Sequence, residues 1–232
     1  MPITRDKDFL RWPDAPGFPA MGIESARLAE CSVEVQRSGV KQVFGAPEHG
    51  FTETHLDFLA QLPTLEGVWF WNVALDNIDG LYALTKLRRF GMHPKRPPIQ
   101  FDRFPALESA VVELRPQDSG LDRLASLNFL SLWRYKGKEC ASLPLAPSLT
   151  ELQLHWASTE SLADLPSLPE LRRLEIHRCR KLHSLGAFKE KFPKLEHLVI
   201  DACGRVTKEE GARAIEGLTE LRHACVQDAL LV

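Results

Sequence analysis

The sequence lacks both a long apolar run and an excess of either charge. Its 232 residues carry 29 Lys and Arg against 31 Asp and Glu, a formal net charge of −2. Since phosphate binding needs a concentrated basic face, nucleic acid is not the expected partner. No apolar run approaches the ~20 residues that cross a bilayer. The first residues, MPITRDKDFLRWPD, carry charge without an apolar segment, so neither a membrane span nor a secretory signal is predicted.

Closely paired cysteines and the motifs of common catalytic sites are missing. The five cysteines are odd in number and widely spaced, without a Cys-x-x-Cys pair. This usage is typical of free thiols in a reducing compartment, so we expect a cytoplasmic protein. The sequence contains no GxSxG, GxGxxG, Walker lysine loop or HExxH. We therefore predict a protein that is not an enzyme and that uses neither a cofactor nor a metal.

Leucine, by contrast, is abundant and unevenly spread. Of its 35 copies only two fall in the first fifty residues, and such a bias indicates an internal repeat. The pattern LxxLxL, with apolar residues at its three fixed positions, recurs at intervals of 20 to 26 residues in the segments 65–70, 87–92, 107–112, 127–132, 149–154, 171–176, 195–200 and 221–226. A weaker copy occupies residues 40–45.

Each copy predicts a strand, and the segment between copies predicts a return path. The last two apolar residues of LxxLxL are two apart, so they share one face of a strand. Apolar residues before the motif, such as Ile78, Leu81 and Leu84, have the three-residue spacing of short helical or 3₁₀ turns. Thr207 with Glu210 three residues later predicts the start of a longer helix. A unit of ~22 residues cannot bury its own apolar face, so neighbouring units must stack.

These repeats resemble the leucine-rich repeat family over roughly residues 40–228, and the unit at 162–182 resembles the class found in protein phosphatase regulators. The resemblance implies an α/β solenoid of about eight or nine repeats. It has a right-handed, curved parallel sheet on the concave side and short helices, 3₁₀ turns and loops on the convex side. The family's usual Asn after the motif is largely absent here, with only Cys179 and Cys203 as common substitutes.

The two ends are expected to differ from the repeats, because exposed solenoid ends need caps. Residues 1–39 contain few leucines and are predicted to form an N-terminal cap. The alternation in SVEVQRSGVKQV, around Ser38 and Gly39, predicts a hairpin at 32–43. Residues 229–232 are left as an apolar tail, which could cover the last strand.

The residues that project from the predicted sheet hold most of the tryptophan and histidine. When the motif is numbered 1–6, positions 3, 5, 7 and 8 face the concave surface or its rim. They hold four of the five tryptophans and five of the eight histidines. Since tryptophan and arginine dominate binding hot spots, we expect a protein partner here. The candidate partner-binding residues are Trp69, Trp71, Phe129, Trp133, His155, Trp156, Arg173, Glu175, His177, Arg178, His197, Asp201 and His223.

A structural alternative applies to the first two of these tryptophans. The N-terminal segment contains Trp12 and Phe18, which could fold back and cover Trp69 and Trp71. In that case the two rings belong to the core of the cap. Trp133 and Trp156 lie farther along the chain and are not explained in this way.

Two groups of residues contain metal-ligand types. Position 7 places His155, His177 and Asp201 on successive strands about 4.8 Å apart, which could bind a metal or respond to pH. A polar ladder that contacts a partner is the favoured interpretation. The string His177-x-Cys179-x3-His183 is also not a metal site, because the repeat register turns Cys179 inward and His177 outward.

The prediction is a monomeric, non-catalytic module that binds a protein on its concave face, as an adaptor or regulatory subunit. One alternative is a stoichiometric inhibitor, such as an immunity protein that neutralises a toxin. Another is a fragment of a bacterial ubiquitin-ligase effector. Such effectors contain LPxLPxxLxxL repeats, which the segment LPSLPELRRL resembles. This alternative would require a reactive Cys225. The basic run at 86–96 is balanced by acidic residues elsewhere, so neither nucleic acid nor a membrane is predicted as partner.

Overall fold

The computed structural model describes residues 3–232, with the backbone alone at positions 93 and 94. The chain divides into two compact units, Met1–Asp118 (unit 1) and Ser119–Val232 (unit 2). Each unit contains short strands that lie side by side in sequence order and are joined by turns. This is the arrangement that stacking of the LxxLxL units predicts.

Unit 1 begins with antiparallel strands and continues with parallel ones. Strand β1 (Thr4–Asp6) pairs with β2 (Phe9–Trp12), and β2 pairs with β3 (Ala20–Gly22), both antiparallel. Parallel pairing then runs from β3 through β4 (Gln42–Gly45), β5 (Gly67–Ala74), β6 (Arg89–Lys95) and β7 (Ser109–Val112). The connections contain helix α1 (Leu28–Ser38) and 3₁₀ turns at Ser25–Arg27, Pro47–His49, Asp57–Gln61, Asp79–Ala83 and Phe101–Arg103.

Unit 2 contains five parallel strands and a short antiparallel one. After a 3₁₀ turn at Leu121–Arg123, the parallel strands are β8 (Phe129–Trp133), β9 (Glu151–His155), β10 (Arg173–His177), β11 (His197–Asp201) and β12 (His223–Val226). Strand β13 (Ala229–Leu230) then pairs antiparallel with β12, so the predicted tail does cover the last motif strand. Helix α2 (Lys208–Ala214) starts where the sequence predicts, with the Thr207 hydroxyl accepting the Glu210 N–H at 3.2 Å.

The motif leucines form the core, as the two-residue spacing predicts. In β9 and β10 every second side chain is buried, and Leu152, Leu154, Leu174 and Ile176 are completely inaccessible to solvent. Leu152 lies directly beside Leu174 in the parallel register, and Leu154 beside Ile176. Complete burial of one such side chain contributes about 1.5–3 kcal/mol. Since no single repeat could bury these side chains alone, the stacking of neighbouring repeats supplies the stability.

The hairpin predicted at 32–43 is wrong, because residues 28–38 form helix α1. Val33 and Val35 suggested the alternation of a strand, but Val33 is 62% exposed. The buried apolar residues of the helix are Cys31 and Val35, four apart, which is the spacing of one helix face. Gly39 ends the helix in the left-handed conformation, with φ of 65°. The observed hairpin lies upstream, in β1 and β2, and the parallel pairing begins at β3 within the segment predicted as the cap.

Two cysteines occupy the interior positions where the family usually has Asn. The thiol of Cys203 accepts the backbone N–H of Cys179 at 3.4 Å, and the Cys179 sulfur lies 3.5 Å from the His177 carbonyl oxygen. In the next repeat, the Gln227 side-chain amide forms hydrogen bonds with both the N–H and the carbonyl of Cys203. Side chains other than Asn therefore satisfy the backbone of these turns.

Candidate interaction surface

The ends of the unit 2 strands bring three predicted side chains into one stack. Trp133, His155 and His177 are the last residues of β8, β9 and β10, and the parallel register sets them directly beside one another. The ring centroids of Trp133 and His155 lie 5.0 Å apart with a 27° interplanar angle. Those of His155 and His177 lie 5.0 Å apart at 11°. We call these three residues the ring ladder.

Asp201 continues the ring ladder with a charge in place of a ring. It ends β11 beside His177, whose Nδ1 lies 3.9 Å from the Asp201 carboxylate. Within the ladder, burial and the neighbouring His177 lower the pKa of His155, against an opposing effect of Glu175. The neutral imidazole of His155 is therefore favoured, and it presents an uncharged ring between its two neighbours.

The residue after each of these strands adopts a left-handed backbone conformation. The φ angles of Arg134, Trp156 and Arg178 are 51°, 52° and 58°, a region that bulky residues rarely occupy. Their N–H groups donate to the carbonyl groups that end the next strands, at 2.7, 2.9 and 2.9 Å. The chain thus stays bonded to its neighbour while it turns, and these three residues form a second column at the exposed edge of the sheet.

Trp156 is the exposed member of an aromatic and cationic cluster. Its side chain is 41% exposed, and its ring lies 4.9 Å from that of Trp133. The Arg178 guanidinium lies 5.4 Å above the Trp156 ring, in the geometry of a cation–π contact. The ring is therefore held from two sides, with its remaining surface open to solvent.

A hydrogen-bonded polar network covers the middle of the same face. The Gln153 amide donates to Glu151 at 3.0 Å and to Glu175 at 3.1 Å. The Arg173 guanidinium donates to the other oxygen of Glu175 at 3.1 Å, and His177 Nε2 lies 3.4 Å from Glu175. Burial raises the pKa of Glu151, and the nearby Arg173 counters this effect. The carboxylates of this face are thus engaged within the molecule.

The remaining predicted residues of unit 2 lie apart from the ring ladder. His197 and His223 begin β11 and β12, with ring centroids 6.2 Å apart. Phe129 begins β8 and is half-buried, as is Cys225 in β12. Arg134 occupies the same register as Trp156 and Arg178, although it was not among the predicted site residues. Its position 8 in the repeat is the sequence signal that could have identified it.

In unit 1, the N-terminal hairpin packs against Trp69. The rings of Trp12 and Trp69 meet edge to face at 6.0 Å, and Trp12 also contacts Phe44 at 5.8 Å. Trp69 stacks on Trp71 at 5.5 Å and 17°. Trp69 therefore belongs to the cluster at the N-terminal edge, as the alternative interpretation of the sequence held. Phe18 lies below the Arg88 guanidinium, 5.9 Å from it.

No metal site forms from these residues. Within the range 3–232, side chains at 93 and 94 aside, no three His, Cys, Asp or Glu residues converge as ligands would. His177 faces outward, while Cys179 is completely buried. In the same part of the chain, no helix has the length and apolar character to cross a membrane.

Comparisons with known proteins match at the level of the fold. No protein-family model matches the chain, and no curated protein sequence does. An internalin (inlF) from Listeria monocytogenes superposes with a TM-score of 0.54 at 16% identity, over 87% of this chain and 65% of that one. Internalin C2 from the same organism gives a TM-score of 0.56 at 13% identity, over 84% of each chain. The chain spans about two thirds of the first internalin's length, and it has the leucine-rich repeat fold.

Proposed function

We propose that this protein is a non-catalytic interaction module that binds a partner protein through unit 2. The binding surface consists of the ring ladder, the exposed Trp156 and the Arg178 above it. It lies on the predicted concave side of the repeats. The observation that carries the proposal is the exposure of Trp156. This large residue is 41% exposed and has the left-handed backbone conformation that bulky residues rarely adopt.

The physical support is preorganisation. Binding usually loses free energy when flexible side chains become ordered at the interface. Here the rings of Trp133, His155 and His177 are already stacked, and Trp156 is already held between Trp133 and Arg178. Tryptophan and arginine are also the residue types that most often dominate an interface. A partner that covers this cluster gains apolar contact at a small entropic cost.

The same observations support an adaptor or regulatory role that acts by occupancy alone. The site consists of aromatic rings and of carboxylates that are hydrogen-bonded to neighbouring side chains. The described residues contain no cluster of side chains that could hold a metal ion. All five cysteines are free, which supports a reducing compartment such as the cytoplasm. We treat the chain as a monomer in this role.

The test is affinity capture with the immobilised wild-type chain and a Trp156→Ala variant, followed by quantitative mass spectrometry. We expect the variant to recover specific partners at least about tenfold less, because loss of a hot-spot residue costs ~2 kcal/mol or more. Val33→Ala is the matched control, since Val33 is 62% exposed on α1 in unit 1 and is not one of the residues of the proposed surface. Equal recovery by all three proteins would show that Trp156 does not contact the partner.

A further inference from the structure

The edge of unit 2 where the strands end carries a concentration of unpaired positive charge. The turns after β8, β10 and β11 present Lys136, Arg178, Arg180, Lys181 and Arg205, all exposed. We call these five residues the basic rim. Trp156, which follows β9, lies in the same edge between the turns after β8 and β10. Rings and cations are thus combined along one border of the sheet.

At the opposite edge of unit 2, where the strands begin, basic side chains form ion pairs within the molecule. Glu196 forms ion pairs with both Arg172 and Arg222, and Lys194 pairs with Glu170 at 2.7 Å. In contrast, no member of the basic rim forms an ion pair with any described residue. The carboxylates of the sheet face do not compensate, because Glu151 and Glu175 are engaged by Gln153 and Arg173. The charge of the basic rim is therefore available to a partner.

We propose that the basic rim docks an acidic segment of the partner protein, with carboxylates opposite the rim and an apolar side chain against Trp156. This inference rests on the proposed function and specifies the partner's chemistry. Guanidinium groups bind carboxylates through two parallel hydrogen bonds, which fixes orientation as well as adding energy. A single exposed ring suits one apolar side chain.

A polypeptide fits this edge better than a nucleic acid does. The same edge also carries carboxylates, at Glu139 after β8, Glu160 after β9 and Asp201 at the end of β11, so the positive charge is interrupted. Duplex DNA carries a charge every ~1.7 Å and would meet these carboxylates throughout. Acidic side chains spaced along a peptide can match the separate cations. Among the rings described at this edge, Trp156 is the one that is exposed, whereas single-stranded nucleic acids are bound by rows of exposed stacking rings.

The experiment uses fluorescently labelled poly-L-glutamate as the probe and oligo-dT of equal charge as the competing polyanion, with anisotropy as the readout. The rim variant is Arg180→Glu/Lys181→Glu. The control is Lys86→Glu/Lys189→Glu, which changes the net charge equally at two exposed residues that lack ion pairs among the described residues. We expect wild type and control to bind poly-L-glutamate, and the rim variant to bind about tenfold more weakly. Affinity should fall between about 50 and about 200 mM salt.

Three outcomes would overturn the proposal. They are absence of poly-L-glutamate binding by the wild type, equal weakening in both variants, or tighter binding of oligo-dT than of poly-L-glutamate. The capture assay separates this inference from the proposed function. If Trp156→Ala loses the partner while Arg180→Glu/Lys181→Glu retains it, the interaction surface stands and the acidic segment is wrong. If neither variant loses the partner, the interaction surface itself is wrong.

Discussion

At the scale of single residues, the candidate surface depends on backbone conformations that its side chains disfavour. The left-handed region costs an L-residue roughly 1–2 kcal/mol relative to its usual conformations. Besides glycines, the described residues of unit 1 in this region are Lys7 and Asn72, and those of unit 2 are Arg134, Trp156, Arg178, Ala202, Gln227 and Asp228. Strained residues of this kind cluster at functional sites. Two of these residues, Trp156 and Arg178, belong to the surface that the proposal uses.

The strain at Trp156 predicts an inverted order of stability between two truncations. Trp156→Gly and Trp156→Ala both remove the ring, but only glycine accepts a φ of 52° without a steric penalty. We expect the glycine variant to be more stable by ~1 kcal/mol in urea unfolding. At Val199, on strand β11 with ordinary extended backbone, glycine should instead be less stable than alanine. The same order at both positions would contradict a strained Trp156.

At the scale of elements, the sequence predicts structure where one local period is decisive. LxxLxL places apolar residues two apart, and the strands of both units form there with those residues buried. Residues 28–38 carry two competing periods, and the burial of Cys31 with Val35 against the neighbouring repeat selects the helix. That burial is a tertiary effect, which a single segment cannot reveal.

The candidate site was predictable to a similar extent. Strand register follows from the repeat, so the adjacency of His155 and His177 could be derived before their rings were seen. The contact of Trp12 with Trp69 joins distant segments, and only an alternative interpretation anticipated it. Of the basic rim, Arg178 was among the predicted residues. The other four were missed because they lie farther into the turns, whose path, unlike that of the strands, has no fixed period.

Two turns of unit 1 are joined by a buried ion pair, which gives a prediction at this scale. The Asp118 carboxylate accepts hydrogen bonds from two Arg96 guanidinium nitrogens at 2.8 and 2.7 Å and from the N–H groups of Ile99 and Arg115. Both charged side chains are 1–2% exposed. Asp118→Ala leaves a buried arginine without its counter-charge, so we expect a loss of about 3–5 kcal/mol in urea unfolding. Glu30→Ala, which breaks the exposed pair with Arg27, should cost under about 1 kcal/mol.

At the scale of the whole molecule, the two units share one repeat pattern but differ in how their projecting aromatic side chains are packed. In both units the apolar residues of LxxLxL form the core, but the tryptophans that project from the strands differ in exposure. In unit 1 the hairpin of β1 and β2 packs Trp12 against Trp69. In unit 2 the Trp156 ring is exposed beside Arg178. The repeats supply a common scaffold. Under our proposal, the unit whose projecting tryptophan is left exposed binds the partner protein.

Thiol reactivity tests whether the core of each unit stays closed. Cys31, Cys140, Cys179 and Cys203 are completely buried, and only Cys225 is partly accessible. Burial raises the pKa of Cys31 and Cys140, which reduces the reactive thiolate further. We expect a disulfide reagent at mildly alkaline pH to titrate about one thiol in the native protein and all five in guanidinium chloride. The Cys225→Ser variant should remove the native reaction, because Cys225 is the one thiol that solvent reaches. Reaction of two or more thiols in the native wild type would mean that the repeats open without denaturant, and such a surface could not be preorganised for a partner.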